Sequence, residues 1–370
     1  MFPGVEATGP SSKLDFATLS ALCLTSKELL PLARSKLYRR VVASFGSGME
    51  GSVEELHPYL WLNDAGLTLL NYPHLASRVV ELEVKLEEVE SSTKANTLAK
   101  AVIDLLKCCY NLKVLDLDGD RFPFTMDHLP GALTGLDLFA NLTELSTVQT
   151  GPNALLLLSE CINLQRLNLR PGVAIFGDDD TLDQPPVASF PFRLGHFTVP
   201  SDLSLPIFRA ITFNSTDSLH ILHLHSEDFL RLREPIAELA SLDELCITWQ
   251  QRNGQYSPSY TKDLSSALNA LTSLRTLTIQ ALRQAPAPSS LLSRLPPTIT
   301  TLYLSRVHIK DIIPFLASDT GRRLSKLAVG GFYRFSSELE EEEERRLLEE
   351  AAGQAGVRLV DYWWNRFDHL

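Results

Sequence analysis

Apolar and polar positions follow one recurring pattern over most of the chain, Leu-x-x-Leu-x-Leu with other aliphatic or aromatic residues allowed. It is clear at Leu112-Leu115-Leu117, Leu164-Leu167-Leu169, Leu219-Leu222-Leu224, Leu242-Leu245-Ile247, Leu274-Leu277-Ile279, Ile299-Leu302-Leu304 and Leu324-Leu327-Val329. Weaker copies are Val79-Leu82-Val84, Leu142-Leu145-Thr147, Leu194-Phe197-Val199 and Val357-Val360-Tyr362. In Leu-x-Leu the two leucines stand at i and i+2, which a strand turns to one face, while the residues between them turn to the other. The central anchors 82, 115, 145, 167, 197, 222, 245, 277, 302, 327 and 360 are separated by 22 to 33 residues, with a mean of 27.8. Between them lie helical candidates at 96–109, 153–161, 230–239, 262–271 and 309–317. One strand and one helix per repeat, stacked, predict an α/β solenoid with a curved parallel sheet on its concave side.

The same arithmetic reinterprets the composition. The 370 residues include 67 leucines, roughly twice the share of an ordinary globular chain, and the repeat assigns that excess to strand positions. Cys109 and Cys161 each stand two residues before an Asn-Leu pair, where other repeats carry Phe139, Leu239 and Leu271. A position shared by Cys, Phe and Leu is a packing site. Five cysteines without CxxC spacing predict a reducing compartment, cytoplasmic or nuclear. No secretory signal and no span of about 20 apolar residues is visible. A net charge of −11 argues against nucleic acid as partner, and no membrane association is expected.

These residues resemble the leucine-rich repeat proteins over about 74–364. The usual Asn or Cys three places after the third leucine is replaced by Asp120, Gly172, Glu227, Gln250, Leu282 and Val307, so irregular turns are expected. Residues 14–41 hold Ala21-Leu22-Cys23-Leu24-Thr25-Ser26-Lys27, then Ala33 and Leu37-Tyr38-Arg39, and resemble the second half of an F-box. Pairing a Leu-Tyr-Arg ending with irregular repeats is similar to the fungal F-box proteins. The Leu-Pro opening of that family is absent from 1–13, so a truncated or degenerate F-box is expected. The organisation read from this is a disordered 1–13, a partial F-box-like helical segment 14–45, a connector and cap 46–73, and irregular repeats with a C-terminal cap over 74–370. A helical cap over the first repeat would explain the apolar spacing of 14–45 without any adaptor.

Outward strand positions predict the surface offered to a partner. Early strands present Glu81, Glu83, Asp116, Asp118 and Glu144; the middle presents Arg166, Asn168, Arg170, His196, His223 and His225; later strands present Glu244, Cys246, Thr276, Thr278, Gln280, Thr301, Tyr303, Ser305 and Lys326. An acidic end followed by basic residues suits an extended partner of mixed charge. His223 and Cys246 are lateral neighbours, but His220 turns to the other face, so no metal site is expected. Asp178–Asp180 reads as a solvated loop. Ser337 and Glu340 have capping-box spacing for a charged helix carrying Glu341–Arg345 and Glu342–Arg346 pairs and stopping at Gly353. Tyr362, Trp363, Trp364 and Phe367 would seal the last strand.

No catalytic motif or cofactor signature is present, and no catalytic activity is expected. The resemblance implies a non-catalytic protein-interaction module, the substrate-recognition subunit of an SCF-type (cullin-RING) ubiquitin ligase. Phe16, Leu19, Leu22, Leu24 and Leu29 would meet the Skp adaptor that joins the cullin core. Glu83, Asp116, Asp118, Arg166, Arg170, His196, His223, His225 and Tyr303 would meet a client protein. A stand-alone repeat scaffold or inhibitor is the alternative.

Overall fold

The computed structural model describes residues 27, 30–45, 62–86, 92–118, 137–148, 152–170, 187–201, 203–249, 258–281, 289–305, 308–330 and 338–361. The chain divides into two compact units, residues 1–194 with 210–214 and residues 195–209 with 215–370. Both are α/β, with parallel strands connected through helices.

The first unit carries β1 (Arg40–Phe45), β2 (Glu81–Leu86), β3 (Val114–Asp118), β4 (Glu144–Val148) and β5 (Arg166–Arg170), paired in chain order. The anchors Leu82, Leu115, Leu145 and Leu167 align laterally in one buried row. Helices Asp64–Asn71, Ser92–Cys108, Asp137–Asn141 and Pro152–Leu158 connect the strands. Their buried side chains, among them Leu69, Leu105, Phe139 and Leu158, complete the core. Burying a leucine fully contributes about 1.5–3 kcal/mol, so the aligned rows are the main source of stability.

One expectation for the N-terminal region is corrected. The segment read as helical to residue 45 is helical over Leu30–Leu37 and then becomes β1, which pairs with β2. Val41 and Ala43 provide its buried alternation, and Ala43 stands where the pattern has a larger side chain. The connector contributes Asn63, whose side chain accepts from the Gly66 amide at 3.0 Å to cap the next helix. Asn63 also donates to the Val42 carbonyl and the Ser44 hydroxyl. One side chain thus fixes β1 against the helix Asp64–Asn71.

The second unit carries β6 (His196–Thr198), β7 (Ile221–His225), β8 (Glu244–Trp249), β9 (Thr276–Ala281), β10 (Thr301–Ser305), β11 (Lys326–Gly330) and β12 (Arg358–Asp361), again parallel and in order. Phe197, Leu222, Leu245, Leu277, Leu302 and Leu327 form its buried row. The helix Ile309–Ala317 has the bounds expected from sequence, and helices Pro258–Asn269 and Glu338–Ala355 lead to β9 and β12. The single helix expected over 230–239 is instead two, Ser226–Arg231 and Arg233–Ala237. Pro235 has no N–H for the Arg231 carbonyl and its ring clashes with that turn, so the helix breaks at Leu232.

The last repeat is also corrected. The helix runs through Gly353 and stops at Gly356, whose φ of 71° is the left-handed conformation that glycine adopts readily. Val357 N–H bonds the Ala352 carbonyl at 2.9 Å and Gly356 N–H bonds that of Gly353 at 3.2 Å, a Schellman closure. This stop sets Leu359, rather than Val360, opposite Leu327. A slip of one residue exchanges the two faces of a strand, and the expected anchor was one residue late. On the same helix, the described charge pairs are Arg346–Glu343 at 2.7 Å and Arg345–Glu349 at 3.3 Å; the expected Glu342–Arg346 pair is replaced by the first of these, and the Glu341 side chain lies outside the described residues.

Adjacent repeats are stitched on the side where the strands begin. The carbonyls of Arg39, Val80, Lys113 and Thr143 in the first unit, and of Gly195, His220, Asp243, Arg275 and Thr300 in the second, each accept two backbone N–H groups from the following repeat. Side chains add a second line of bonds there. Asn111 donates to the Ser77 carbonyl and Asn163 to that of Ala140, each at 2.7 Å. Ser241 donates to the Asp217 carbonyl at 2.8 Å and Ser273 to that of Ala240 at 2.7 Å. In all four the donor is the residue before the first leucine of a repeat, and the acceptor lies one position earlier in the preceding repeat. A polar ladder satisfying loop carbonyls therefore exists before the strands, while the sequence pattern lacks one after them.

Candidate functional site: the outward sheet faces

In the first unit, lateral register builds three outward rows. The first is Arg40, Glu81, Val114, Glu144 and Arg166; the second is Val42, Glu83, Asp116, Ser146 and Asn168. The third includes Ser44, Lys85 and Asp118, and Val148 beside Arg170. Glu83, Asp116, Arg166 and Arg170 thus occupy the outward positions expected of them, while the Asp118 side chain lies outside the described residues.

Their charges, however, are internally compensated. Arg170 donates to both Asp116 oxygens, at 3.0 and 2.9 Å, although Asp116 is on β3 and Arg170 on β5. The guanidinium crosses β4, a lateral reach of about 9.6 Å at the usual strand spacing. Both bonds come from Nη2, and the pair is half-buried, the two side chains 14% and 28% exposed, so it is less screened than a surface pair. Glu83 lies 3.2 Å from Lys85 and 3.7 Å from Arg40, and Arg166 pairs with Glu144 at 3.0 Å. The acidic end and basic middle expected from sequence are corrected on this account: much of their charge is spent between strands.

The second unit uses the same register with different chemistry. Its first outward row is His196, Ile221, Glu244, Thr276, Thr301, Lys326 and Arg358, and its second is Thr198, His223, Cys246, Thr278, Tyr303, Ala328 and Val360. His225, Thr248, Gln280, Ser305 and Gly330 occupy the third. In the second row His223 is only 8% exposed, and Cys246, Thr278 and Ala328 are more deeply buried. His223, Cys246 and Thr278, together with Ser305 in the third row, are corrected as contact residues because they are closed to solvent. The His196 and His223 rings meet edge to face at 4.7 Å. Lys326 places its ammonium 4.9 Å from the Tyr303 ring centroid and 2.5 Å from the phenolic oxygen. Both residues remain partly open.

The thiols behave as packing groups. Burial, reinforced by the Glu244 carboxylate, pushes Cys246 up to about 12. Burial likewise raises Cys109 and Cys161 to about 12, with smaller contributions from Cys108 and Glu160 respectively. Such thiols are protonated near neutral pH and are poor nucleophiles. The described cysteines are all free. His223 stands beside Cys246 as expected, and His220 is turned away, its Nδ1 3.1 Å from the Ser241 carbonyl. Among the described residues no group of three His, Cys, Asp or Glu side chains is arranged to hold a metal ion.

The sequence reading missed the Lys326–Tyr303 contact, the bond that spans β3 to β5, and a cluster after β7 and β8. There the Trp249 and Tyr260 rings meet edge to face at 5.8 Å, and the Tyr260 phenol is raised by burial and by Glu227 and Asp228, against a hydrogen bond with Ser226 that lowers it. The only advance signal was the Trp itself, isolated at the end of an apolar strand. Phe16, Leu19, Leu22, Leu24 and Leu29 lie outside the described residues, as do Asp178–Asp180, Ser337 and the aromatic group Tyr362, Trp363, Trp364 and Phe367. Among the described residues no helix is long and apolar enough to cross a membrane.

No family model and no curated protein sequence matches the chain. Among solved structures, it is similar to a sugar phosphate isomerase/epimerase from Parabacteroides distasonis ATCC 8503, at 10% identity and a TM-score of 0.18, over 56% of this chain and 90% of that one. The expectation that this chain has no catalytic activity is withdrawn. At that TM-score the neighbour's own activity is not carried over to this chain.

Proposed function

We propose that the chain is a leucine-rich repeat solenoid of the F-box type, whose outward sheet faces recognise a client protein and whose residues 14–45 join it to the Skp adaptor of a cullin-RING ligase. The observation that carries the recognition half is the register. Polar side chains on adjacent parallel strands stand in aligned outward rows above an aligned leucine row in each unit. Such rows are rigid because their backbones are stitched from repeat to repeat, and a rigid surface loses little conformational entropy on binding. Open positions such as Glu81, Arg166, His196 and Tyr303 are the contact residues of this reading. The adaptor half rests on the residue resemblance of 21–27 and 37–39 alone. The buried, unlinked thiols of Cys109, Cys161 and Cys246 fit a cytoplasmic or nuclear setting.

Co-purification tests the reading. Tagged full-length protein is expected to retain the Skp adaptor and cullin together with a client. Retention of a client without either ligase component would remove the F-box half and leave the stand-alone scaffold. If Glu81→Lys and Tyr303→Ala, each folded, retain every partner unchanged, the sheet face is not the contact surface.

A further inference from the structure

The side of the second unit where its strands begin is strongly divided in charge. Before β7 and β8 it carries Asp217, Glu238 and Asp243, all exposed. Before and at the start of β9 to β12 it carries Arg275, Arg294, Arg322, Arg323, Lys326 and Arg358. The five arginines are exposed and Lys326 is partly so. Backbone bonds hold these segments side by side: Thr300 and Thr301 donate to the Arg275 carbonyl, Ser325 and Lys326 to that of Thr300, and Arg358 to that of Ser325. Arg275 also reaches the next repeat, its Nη1 3.4 Å from the Thr298 carbonyl. Arg294 is placed by its own carbonyl, which accepts from Ser265 at 2.9 Å.

Compensation is what separates this strip from the charged face of the first unit. Among the described residues none of the six cations is in an ion pair, and the single aspartate in the same lead-in loops is Asp319. A concentrated basic strip on a chain of net charge −11 is not a consequence of overall composition, and it does not serve the fold through pairing.

We propose that this strip is a docking surface for an acidic protein segment bound in extended form. Guanidinium groups predominate, and their planar fork suits carboxylates. Four strands at about 4.8 Å spacing span about 15 Å, the length of roughly five extended residues. That size separates the two classes of polyanion. A nucleic-acid strand continues its charge past the strip onto the acidic side at β7 and β8, whereas a short acidic segment ends within it. The Tyr303 ring is occupied by Lys326, which reduces its use for base stacking. The acids before β7 and β8 set the direction, favouring a segment whose charge falls off toward them. This surface goes beyond the sheet-face reading, and the ligase connection does not bear on it.

The test is fluorescence anisotropy on the full chain with a labelled peptide of about five consecutive glutamates, its glutamine counterpart and an oligouridylate of about five nucleotides. The glutamate peptide is expected to bind and the glutamine peptide not to. Its Kd should rise about tenfold or more when salt is raised from about 0.05 to about 0.5 M, since screening shortens the reach of exposed charges. Arg294→Glu, Arg322→Glu and Arg323→Glu together should weaken binding by about tenfold or more at an unchanged Tm. Arg294→Gln and Arg322→Gln singly, each expected to weaken it about twofold to fivefold, give the answer if the triple variant does not fold. Absent binding, equal binding by wild type and the folded variants, or preference for the oligouridylate would overturn the proposal. Co-purification of adaptor and client is read independently of all three.

Discussion

In the first unit the middle outward row, Val42, Glu83, Asp116, Ser146 and Asn168, is half-buried along its whole length, whereas the matching row of the second unit buries His223, Cys246, Thr278 and Ala328. Register is the same and the leucine row beneath is the same. The difference lies in what each row can hold. A half-open row accommodates carboxylates, and long basic side chains from neighbouring strands reach them there. A closed row excludes uncompensated charge, because burying an ion without partners is expensive, and it is occupied by small or uncharged groups. Outward position on a strand therefore does not by itself make a residue available to a partner. In this chain availability is set position by position, and Tyr303, in the row that buries Thr278 and Ala328, stays partly open.

The comparison can be broken most sharply by placing the same charge in both rows. Cys246→Asp should destabilise the second unit by more than about 3 kcal/mol, since the carboxylate enters a closed site. Asn168→Asp should change stability by less than about 1 kcal/mol, because its row is half-open and Arg166 and Arg170 share its strand face. Urea unfolding of each variant measures both, and similar losses would mean that the rows do not differ. Next in size is Arg170→Ala, expected to cost about 1–3 kcal/mol by leaving half-buried Asp116 without its guanidinium partner. Arg170→Lys should recover only part of that, since its shorter stem must carry the ammonium across β4 to reach the carboxylate.

The ladder before the strands gives a control common to both units. Asn111→Ala in the first and Ser273→Ala in the second should each cost about 1 kcal/mol, the usual net value of one such bond. A much larger loss in one unit would show that its repeats depend unequally on the stitching. The smallest effect is expected from Arg166→Ala. Its pair with Glu144 is exposed, so the loss should stay below about 1 kcal/mol and shrink further in high salt.

Much of this architecture was legible in the leucines. From Leu82 to Leu327 the anchors are the aligned, buried row of each unit, because the i, i+2 rule links spacing directly to a face. Legibility failed where another device governed the backbone. Gly356 resets the register of β12, Pro235 splits a helix, and β1 is built on Val41 and Ala43, which carry no leucine signal. The candidate surface was less legible. Alternation identifies the outward face but is silent on how deeply each outward residue is covered, as His223 and Thr278 show. The Arg170–Asp116 bond joins residues 54 apart in sequence, and it depends on side-chain reach across an intervening strand. The Asn-Leu pairs at 111 and 163 were visible as markers of repeats, yet their role as donors needs the preceding repeat in place.

The doubled bonds on the Val80, Lys113, Asp243 and Arg275 carbonyls also bear on how such a chain can change over generations. Each joint is made by the few residues just before a strand, and it makes no demand on the stretch that leaves the strand and returns through a helix. Insertions and deletions in that stretch leave the joint intact, which accounts for neighbouring anchors standing 33 residues apart at Leu82 and Leu115 but 22 apart at Leu145 and Leu167. New material is thus admitted on one side of each repeat, and new binding properties can be tried there while the joints stay constant.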